Sequence, residues 1–324
     1  MQRDLVFGVV AFDPRVGCAA SCAAHRDGVR RWSASVRRHT VATRTDVALF
    51  TGTGRGSIAA DGATARVLRR ANVRTIEGDF RDSPARVAHS DGNKYMWCVV
   101  RNRWFVLRDY LRAHVQEYRY VLMTDVRDAI LQADPFAWAP RGAADAANFE
   151  LRRSIVLSGE GSGSVKVLAQ SPKGKARTLG CAGEPALDEA ARTMLLATDP
   201  LNAGVTLGGA GAFLNFSAAM SDVISRVTTH ACLAIKDCTD QGLYNLLVYT
   251  RWQRMLPHTT RLLVPMEGGA LSYTLGHKKG KVVVGSDGRV RDDTRAYVPP
   301  VVHQFAKGRA GKALQRTRFG PCRG

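Results

Sequence analysis

Short β-branched runs alternate with stretches of helical periodicity through the first half of this 324-residue chain, and few architectures accept that alternation. A strand that returns to its sheet in parallel needs a crossover, usually a helix, so the pattern predicts a mostly parallel sheet flanked by helices. Leu5–Phe12, Val47–Thr51 and Val73–Ile76 read as strands. From about Lys94 to Tyr118, Trp97, Val100, Trp104, Leu107 and Leu111 recur at spacings of three and four, which predicts a long amphipathic helix with that stripe in the core. Arg119–Thr124 (RYVLMT) then reads as a buried strand running straight into acidic residues and a turn, TDVRDAILQADPF. Ligands of open α/β sheets gather at the carboxyl ends of strands, so chemistry is expected here first.

Composition narrows the class without naming the partner. With 45% hydrophobic residues the chain has the means for a sizeable core. Its 47 Lys and Arg against 28 Asp and Glu give a formal charge of +19, which favours polyanions, phosphates or acidic membranes as partners. The basic residues are mostly scattered arginines in an Ala- and Gly-rich chain, a pattern that compositional bias also produces. The seven cysteines include no CxxC pair and fit neither a closed disulfide framework nor a zinc ribbon. The apolar run after Arg3 is short, ends at Asp13 and reads as a first strand rather than a signal peptide. No stretch approaches the roughly 18 apolar residues of a membrane span, so a cytoplasmic location is expected.

Farther along, Ser158–Pro185 is rich in Gly, Ser and Lys, lacks periodicity and reads as a surface loop, either a lid or a solvated insertion. An apolar, Gly-rich segment (LNAGVTLGGAGAFLNF), a helix beginning near Asp240 and a C-terminal strand VPPVVHQF follow it.

Asp125 and Asp128 stand three apart just past a predicted strand. A turn there brings the two Cα atoms within about 7 Å, close enough for both carboxylates to serve one divalent cation. Capping of the next turn is the plainer use of such residues. The surrounding TDVRDAILQADPF, however, resembles the DxD region of nucleotide-diphospho-sugar glycosyltransferases of the GT-A fold. On that resemblance Asp128 takes the final DxD position by its interval to Asp134-Pro135, while Val126 stands in the first and Asp125 one place earlier. The departure to DxxD makes Asp128 the stronger ligand candidate.

Three more segments resemble that family in its order. Leu201–Gly204 (LNAG) is similar to the segment beside the donor sugar, with Asn202 offering an amide to hydroxyls and Gly204 allowing close backbone approach. Asp240–Asn245 (DQGLYN) is similar to the DQ motif of glycogenin-like retaining transferases, which assigns Asp240 and Gln241 to the sugar or reacting centre. Val301–Phe305 (VVHQF) resembles the segment whose His, here His303, completes the metal site, followed by basic residues near the diphosphate, here Lys307 and Arg309. Plant xylosyltransferase-like families share this arrangement.

The resemblance implies a Rossmann-like GT-A domain over residues 1–324, with 1–136 as the nucleotide-binding half and 137–324 as the sugar and acceptor half. It implies a Mn²⁺ or Mg²⁺ cofactor and a nucleotide-sugar donor, UDP-sugar before GDP-sugar. It also implies transfer with retention to a glycan or protein acceptor. The nucleoside would sit over the end of the first strand, at Phe12 and Asp13, and Arg103 matches a position that is often basic. Two other readings compete. An NAD enzyme lacks its G-x-G-x-x-G after the first strand, since TGTGRGS follows the second. A nucleic-acid-binding protein would use the +19 charge, but no recognised module is present and no specific nucleic acid is expected. The pH at which a metal-binding His303 loses its ion is expected near the ordinary histidine pKa, about 6.5.

Overall fold

The computed structural model of the chain describes residues 2–10, 19–52, 62–78, 92–139, 150–159, 189–228, 240–263, 270–275, 282–292 and 297–304. Its central sheet has seven strands in the order β3-β2-β1-β4-β7-β6-β8. These are β1 (Arg3–Val10), β2 (Thr45–Gly52), β3 (Val73–Gly78), β4 (Tyr118–Asp125), β6 (Ser154–Gly159), β7 (Leu201–Gly209) and β8 (Arg261–Leu263). β1 pairs in parallel with β2 and β4, β2 with β3 and β6 with β8, while β7 runs against both β4 and β6. The expected mixed α/β architecture, a mostly parallel sheet flanked by helices, is therefore what the chain adopts.

Period-two alternation divides the strand side chains between two cores. On one face Leu5, Phe7, Val121 and Met123 join Trp104, Leu107 and Leu111 of α3 (Gly92–His114). Phe213 and Phe216 of α5 (Ala210–Thr228) and Leu243 and Tyr244 of α6 (Asp240–Tyr249) complete that layer; the short helix α4 (Glu189–Leu196) adds Leu195. On the other face Val6, Leu49 and Leu122 pack against Val29, Trp32 and Val36 of α1 (Ala19–His39) and Leu68 of α2 (Gly62–Arg70). Each such side chain, fully buried, contributes about 1.5–3 kcal/mol, which is why strands covered on both faces read as nearly continuous apolar runs.

The predicted long helix is shorter than its periodicity suggests. It stops at His114, a 3-10 turn covers Val115–Glu117, and Tyr118 opens β4. Tyr118 sits seven positions after Leu111 and mimics the helical stripe, but its hydroxyl donates to Asp46 at 3.0 Å and meets the Tyr110 hydroxyl at 2.8 Å, which fixes it in the sheet. The side chains of Trp97 and Val100 lie outside the described ones. Ser158 and Gly159, expected to start a loop, instead finish β6, and residues 160–185 of that loop lie outside the described residues. The first strand ends at Val10; Phe12 lies beyond the described residues.

A second, three-stranded sheet covers the end of the first. It places β12 (Val301–His303) between β5 (Ala129–Leu131), antiparallel, and β9 (Ser272–Thr274), parallel, so that His303 stands opposite Ala129 and Thr274. Gln132, fully buried, fastens this sheet to the hairpin of β10 (Val282–Val284) and β11 (Val290–Asp292). Its amide nitrogen donates to the carbonyls of Val290 and Pro299, its oxygen accepts from Val290 N at 2.6 Å, and its backbone N–H reaches Pro300 O at 2.7 Å. Among the described residues no helix is long and apolar enough to cross a membrane.

Gln132→Ala leaves a buried N–H and two carbonyls without partners, and is expected to cost about 2–4 kcal/mol in urea denaturation. A loss below about 0.5 kcal/mol, the scale of an ordinary surface change, would show that the Gln132 bridge does not hold the small sheet in place.

Candidate metal centre

β4 delivers Asp125 to the carboxyl end of the sheet as its last residue, paired across to Val9. The chain then turns through residues 126–128 into β5, and this turn is held from beneath by α1. A Cβ on Gly28 would stand 2.7 Å from the carbonyl oxygen of Arg127, so only glycine lets the helix come this close. Trp32 Nε1 donates to Thr124 Oγ1 at 2.8 Å, and Ser35 Oγ accepts from Leu131 N at 3.1 Å. The turn is thus pinned on both sides of Asp128.

His303 arrives from β12. Its Nε2 lies 3.3 Å from Asp125 Oδ2 and 3.4 Å from Asp128 Oδ1. One ligand atom from each of Asp125, Asp128 and His303 falls within 4.8 Å of the others, a grouping that could hold a metal ion. Two carboxylate oxygens and an imidazole nitrogen form a donor set suited to Mn²⁺ and acceptable to Mg²⁺. Gly204 supplies the space. A Cβ there would lie 2.6 Å from His303 Nε2 and 2.7 Å from Asp125 Oδ2, inside the volume that an ion would share with them.

That glycine belongs to an interruption in β7. The register with β6 jumps from Leu157↔Thr206 to Ser158↔Asn202, leaving Ala203, Gly204 and Val205 without ladder partners on β6. Such bulges re-aim backbone and side chains beside functional sites. The Ala203 carbonyl accepts from Arg103 Nη2 at 3.0 Å. Asn245 of α6 clamps the start of the strand, accepting from Leu201 N at 2.9 Å and donating to Leu201 O at 3.3 Å.

Arg103 is 2% exposed, deep under the site. It donates to Asp125 Oδ1 at 2.6 Å and to Asp240 Oδ2 at closer range. Burial disfavours its charge, but the carboxylates of Asp240 and Asp125 outweigh that and hold the guanidinium above its ordinary value. Burial likewise opposes ionisation of Asp125, yet Arg103 and His303 hold its carboxyl well below the usual carboxylate range. Asp240, the more deeply buried acid, is raised: burial and the nearby Asp125 charge outweigh Arg103 and the Gln241 backbone N–H. Arg103 is therefore committed to two carboxylates and a carbonyl.

Asn202 is equally committed. It is 3% exposed; its Oδ1 accepts from Gly204 N at 2.6 Å, and its Nδ2 donates to Thr274 Oγ1 at 3.2 Å and faces His303 Nδ1 at 2.9 Å. With the amide in this orientation Nδ1 is the acceptor of a neutral ring whose proton sits on Nε2, whereas the charged ring, protonated at both nitrogens, takes the amide oxygen at Nδ1 instead. An ion at Nε2 requires the proton of the neutral ring on Nδ1, and exchange of the two ends of the Asn202 amide would provide the acceptor.

Of the residues singled out in the sequence, Asp125, Asp128, Asn202, Gly204 and His303 thus converge, with Arg103 and Asp240 directly behind them. Gln241, partly buried, follows on α6, its carbonyl accepting from Asn245 Nδ2 at 2.7 Å. Phe12, Asp13, Lys307 and Arg309 lie outside the described residues. Gly28, Trp32, Gln132 and Asn245 were not legible as site residues from sequence; only Asn245, the sixth residue of the DQGLYN segment, lies within a motif.

No family model and no curated protein matches the chain. Among solved structures it is similar to mouse xyloside xylosyltransferase 1 in its apo form, at 13% identity and a TM-score of 0.42, over 81% of this chain and 84% of that one. It is also similar to the galactosyltransferase LgtC in complex with donor and acceptor sugar analogues, at 13% identity and a TM-score of 0.43, over 93% of this chain and 86% of that one. At this distance the functional reading rests on the residues of the site itself.

Two outcomes follow from the geometry. Gly204→Ala is expected to abolish Mn²⁺ binding in calorimetry, because the methyl group occupies the cradle; undiminished affinity would place any ion elsewhere. The second concerns pH, and it moves the expected titration away from 6.5. Burial lowers the His303 pKa, but Asp128 and Asp125 more than reverse this and raise it to about 10. A folded-state pKa above the unfolded value of about 6.5 contributes stability that is fully present below 6.5 and is lost as pH rises towards 10. In EDTA, wild type should lose stability over that window relative to His303→Asn, and Mn²⁺ affinity should keep rising with pH throughout it. Parallel stability curves for the two proteins would contradict the charge pairing of His303.

Proposed function

We propose that the chain is a metal-dependent glycosyltransferase that moves a sugar from a nucleotide-diphosphate donor, a UDP-sugar by preference, to a glycan or protein acceptor with retention. The observation that carries this reading is the single cradle bounded by Asp125, Asp128, Gly204 and His303. These residues come from three segments that each resemble a glycosyltransferase motif, and Asp125 and His303 are 178 positions apart. The halves 1–136 and 137–324 serve nucleotide and sugar respectively in this reading, and both line the cradle.

Asp125, Asp128 and His303 would hold a divalent cation, whose charge would offset that building on the departing nucleoside diphosphate. Asp125 and Asp128 supply the carboxylate oxygens and His303 the nitrogen. Arg103, matched in the sequence to a donor-binding position, acts instead as a positioning residue: it keeps Asp125 ionised and fixes which oxygen faces the cradle. Asn202 likewise works through His303, setting its ring and tautomer, rather than through an open amide offered to a sugar hydroxyl. Asp240 keeps one carboxylate oxygen on Arg103, and with Gln241 it is assigned to the donor sugar. Phe12, Asp13 and Lys307 are assigned to the nucleotide and its phosphates through the family resemblance. In transfer the bond from the anomeric carbon to the diphosphate oxygen breaks, the acceptor oxygen bonds to the same face of that carbon, and the acceptor proton passes to the departing diphosphate oxygen.

A thermal-shift screen of UDP- and GDP-sugars with and without Mn²⁺ tests the reading without an acceptor, since a ligand at 100 times its Kd stabilises by about 2.7 kcal/mol. UDP-sugars should stabilise wild type only with Mn²⁺. Asp128→Asn should remove that Mn²⁺-dependent part and reduce donor turnover by about two orders of magnitude or more, the scale of losing one charge-stabilising group. Full turnover in this variant would end the metal assignment. Asp240→Asn, which keeps a side-chain oxygen for Arg103, should separate the sugar from the nucleotide: kcat and kcat/KM fall together while UDP affinity stays nearly unchanged. Loss of UDP binding in calorimetry would return Asp240 to the core.

A further inference from the structure

At the opposite end of the sheet, under the amino ends of β1, β2 and β3, lies a cleft of about 380 Å³ lined by Arg3, Arg37, Arg69, Arg74, Asp46 and Tyr110, among others. The strands that separate it from the metal centre are eight residues long in β1 and β2, so the two sites stand roughly 25 Å apart. Four guanidinium groups and one carboxylate line this cleft. The carboxylate is already engaged: Asp46 accepts from Arg3 Nη1 at 3.1 Å and from the Tyr118 hydroxyl at 3.0 Å. Glu117, exposed, takes the other end of Arg3 at 3.3 Å.

The remaining cations hydrogen-bond to neutral atoms, although Asp46 also acts on Arg37 and Glu117 on Arg74 through charge, which leaves four guanidinium groups against two carboxylates. Arg37 donates to three backbone carbonyls, Ala71 O at 2.5 Å, Thr45 O at 3.0 Å and Asn72 O at closer range, and so ties the end of α1 to the turn after α2. Its role is to hold the fold, and its charge stays in the cleft. Arg74 donates to the Tyr110 hydroxyl at 3.4 Å. Arg69 enters from the last turn of α2, and both Arg69 and Arg74 are exposed. Neutral acceptors satisfy hydrogen bonds without cancelling charge, so the cleft keeps a positive excess. Guanidinium forks match the paired oxygens of phosphate and carboxylate alike, and several of them on one concave wall favour a group that carries more than one negative charge. A volume of this size sits at the small end of ligand clefts.

We propose that this cleft is a second anion site that takes a compact phosphate-type group carrying two or more charges, either a free diphosphate or a phosphate borne on a sugar. Arg69 and Arg74 are its adaptable contacts, and Arg3 and Arg37 its fixed ones. The site is independent of the transferase reading, because it shares no residue with the metal centre.

The test is calorimetry on the full chain in EDTA at physiological ionic strength, with inorganic pyrophosphate and mannose 6-phosphate as probes. EDTA removes any ion-mediated binding at the Asp125–Asp128–His303 centre. Saturable binding of at least one probe is expected, weakened tenfold or more in R69Q/R74Q and retained in Asp128→Asn. Both substitutions in the double variant are at exposed positions, and an unchanged Tm confirms that it is folded. Tighter binding of pyrophosphate identifies a free diphosphate as the ligand class, and tighter binding of mannose 6-phosphate a sugar phosphate. The proposal is overturned if neither probe binds wild type saturably, or if binding survives R69Q/R74Q.

Discussion

The site depends on one buried cation. Arg103, deep between the sheet and α6, joins Asp125 at the end of β4 to Asp240 at the start of α6 and also holds the bulged Ala203 carbonyl of β7. Removing one partner from such a cluster is costly, typically about 3–5 kcal/mol, because the charges left behind have no water to solvate them. Three elements that could otherwise shift independently are thereby locked into one relative position. The same guanidinium lets Asp125 stay ionised in a half-buried position, which a cation-binding carboxylate must be able to do.

The antiparallel course of β7 explains why the cluster forms where it does. In a fully parallel sheet only carboxyl ends of strands meet at the ligand-binding edge. Because β7 is reversed, its amino end, with Asn202, Ala203 and Gly204, comes to the edge where β4 ends in Asp125. The small sheet then caps that edge, and its central strand β12 delivers His303. Immediately after it Gln304 adopts a left-handed backbone (φ 54°), a conformation uncommon outside glycine, so the chain turns away as soon as the imidazole is in place.

Much of this was legible in the sequence, and the limits have physical causes. β-branched runs marked β1, β2 and β3, and the step from an apolar run into acids marked the end of β4. The acids, the NAG segment and His303 could be nominated from their resemblance, in order, to glycosyltransferase motifs; residue type alone favoured plainer roles. Arg103 could be nominated but not understood. Its burial requires carboxylates 22 and 137 positions away, and nothing local distinguishes it from an exposed helical arginine. Gly28 and Gln132 escaped for a related reason, since a close helix-to-turn contact or a bridge to residues about 160 positions distant leaves no periodic trace. The bulge in β7 was hidden because its residues are as apolar and small as their neighbours. Tyr118 misled because aromatic spacing alone cannot tell the last turn of a helix from the first residue of a strand.

The 178 positions between Asp125 and His303 are also an interval of time. At a synthesis rate of about 5–20 residues per second, the histidine follows the aspartate by roughly 10–35 s. Throughout that interval Asp125 and Asp128 already exist in the growing chain while the imidazole that completes the centre does not. Arg103 precedes Asp125 and is available to it from the start, whereas Asp240 appears only about two thirds of the way through. The order of synthesis therefore provides the charge partner of the first acid early and the nitrogen ligand late, so a complete three-ligand centre marks a chain whose distant segments have already met.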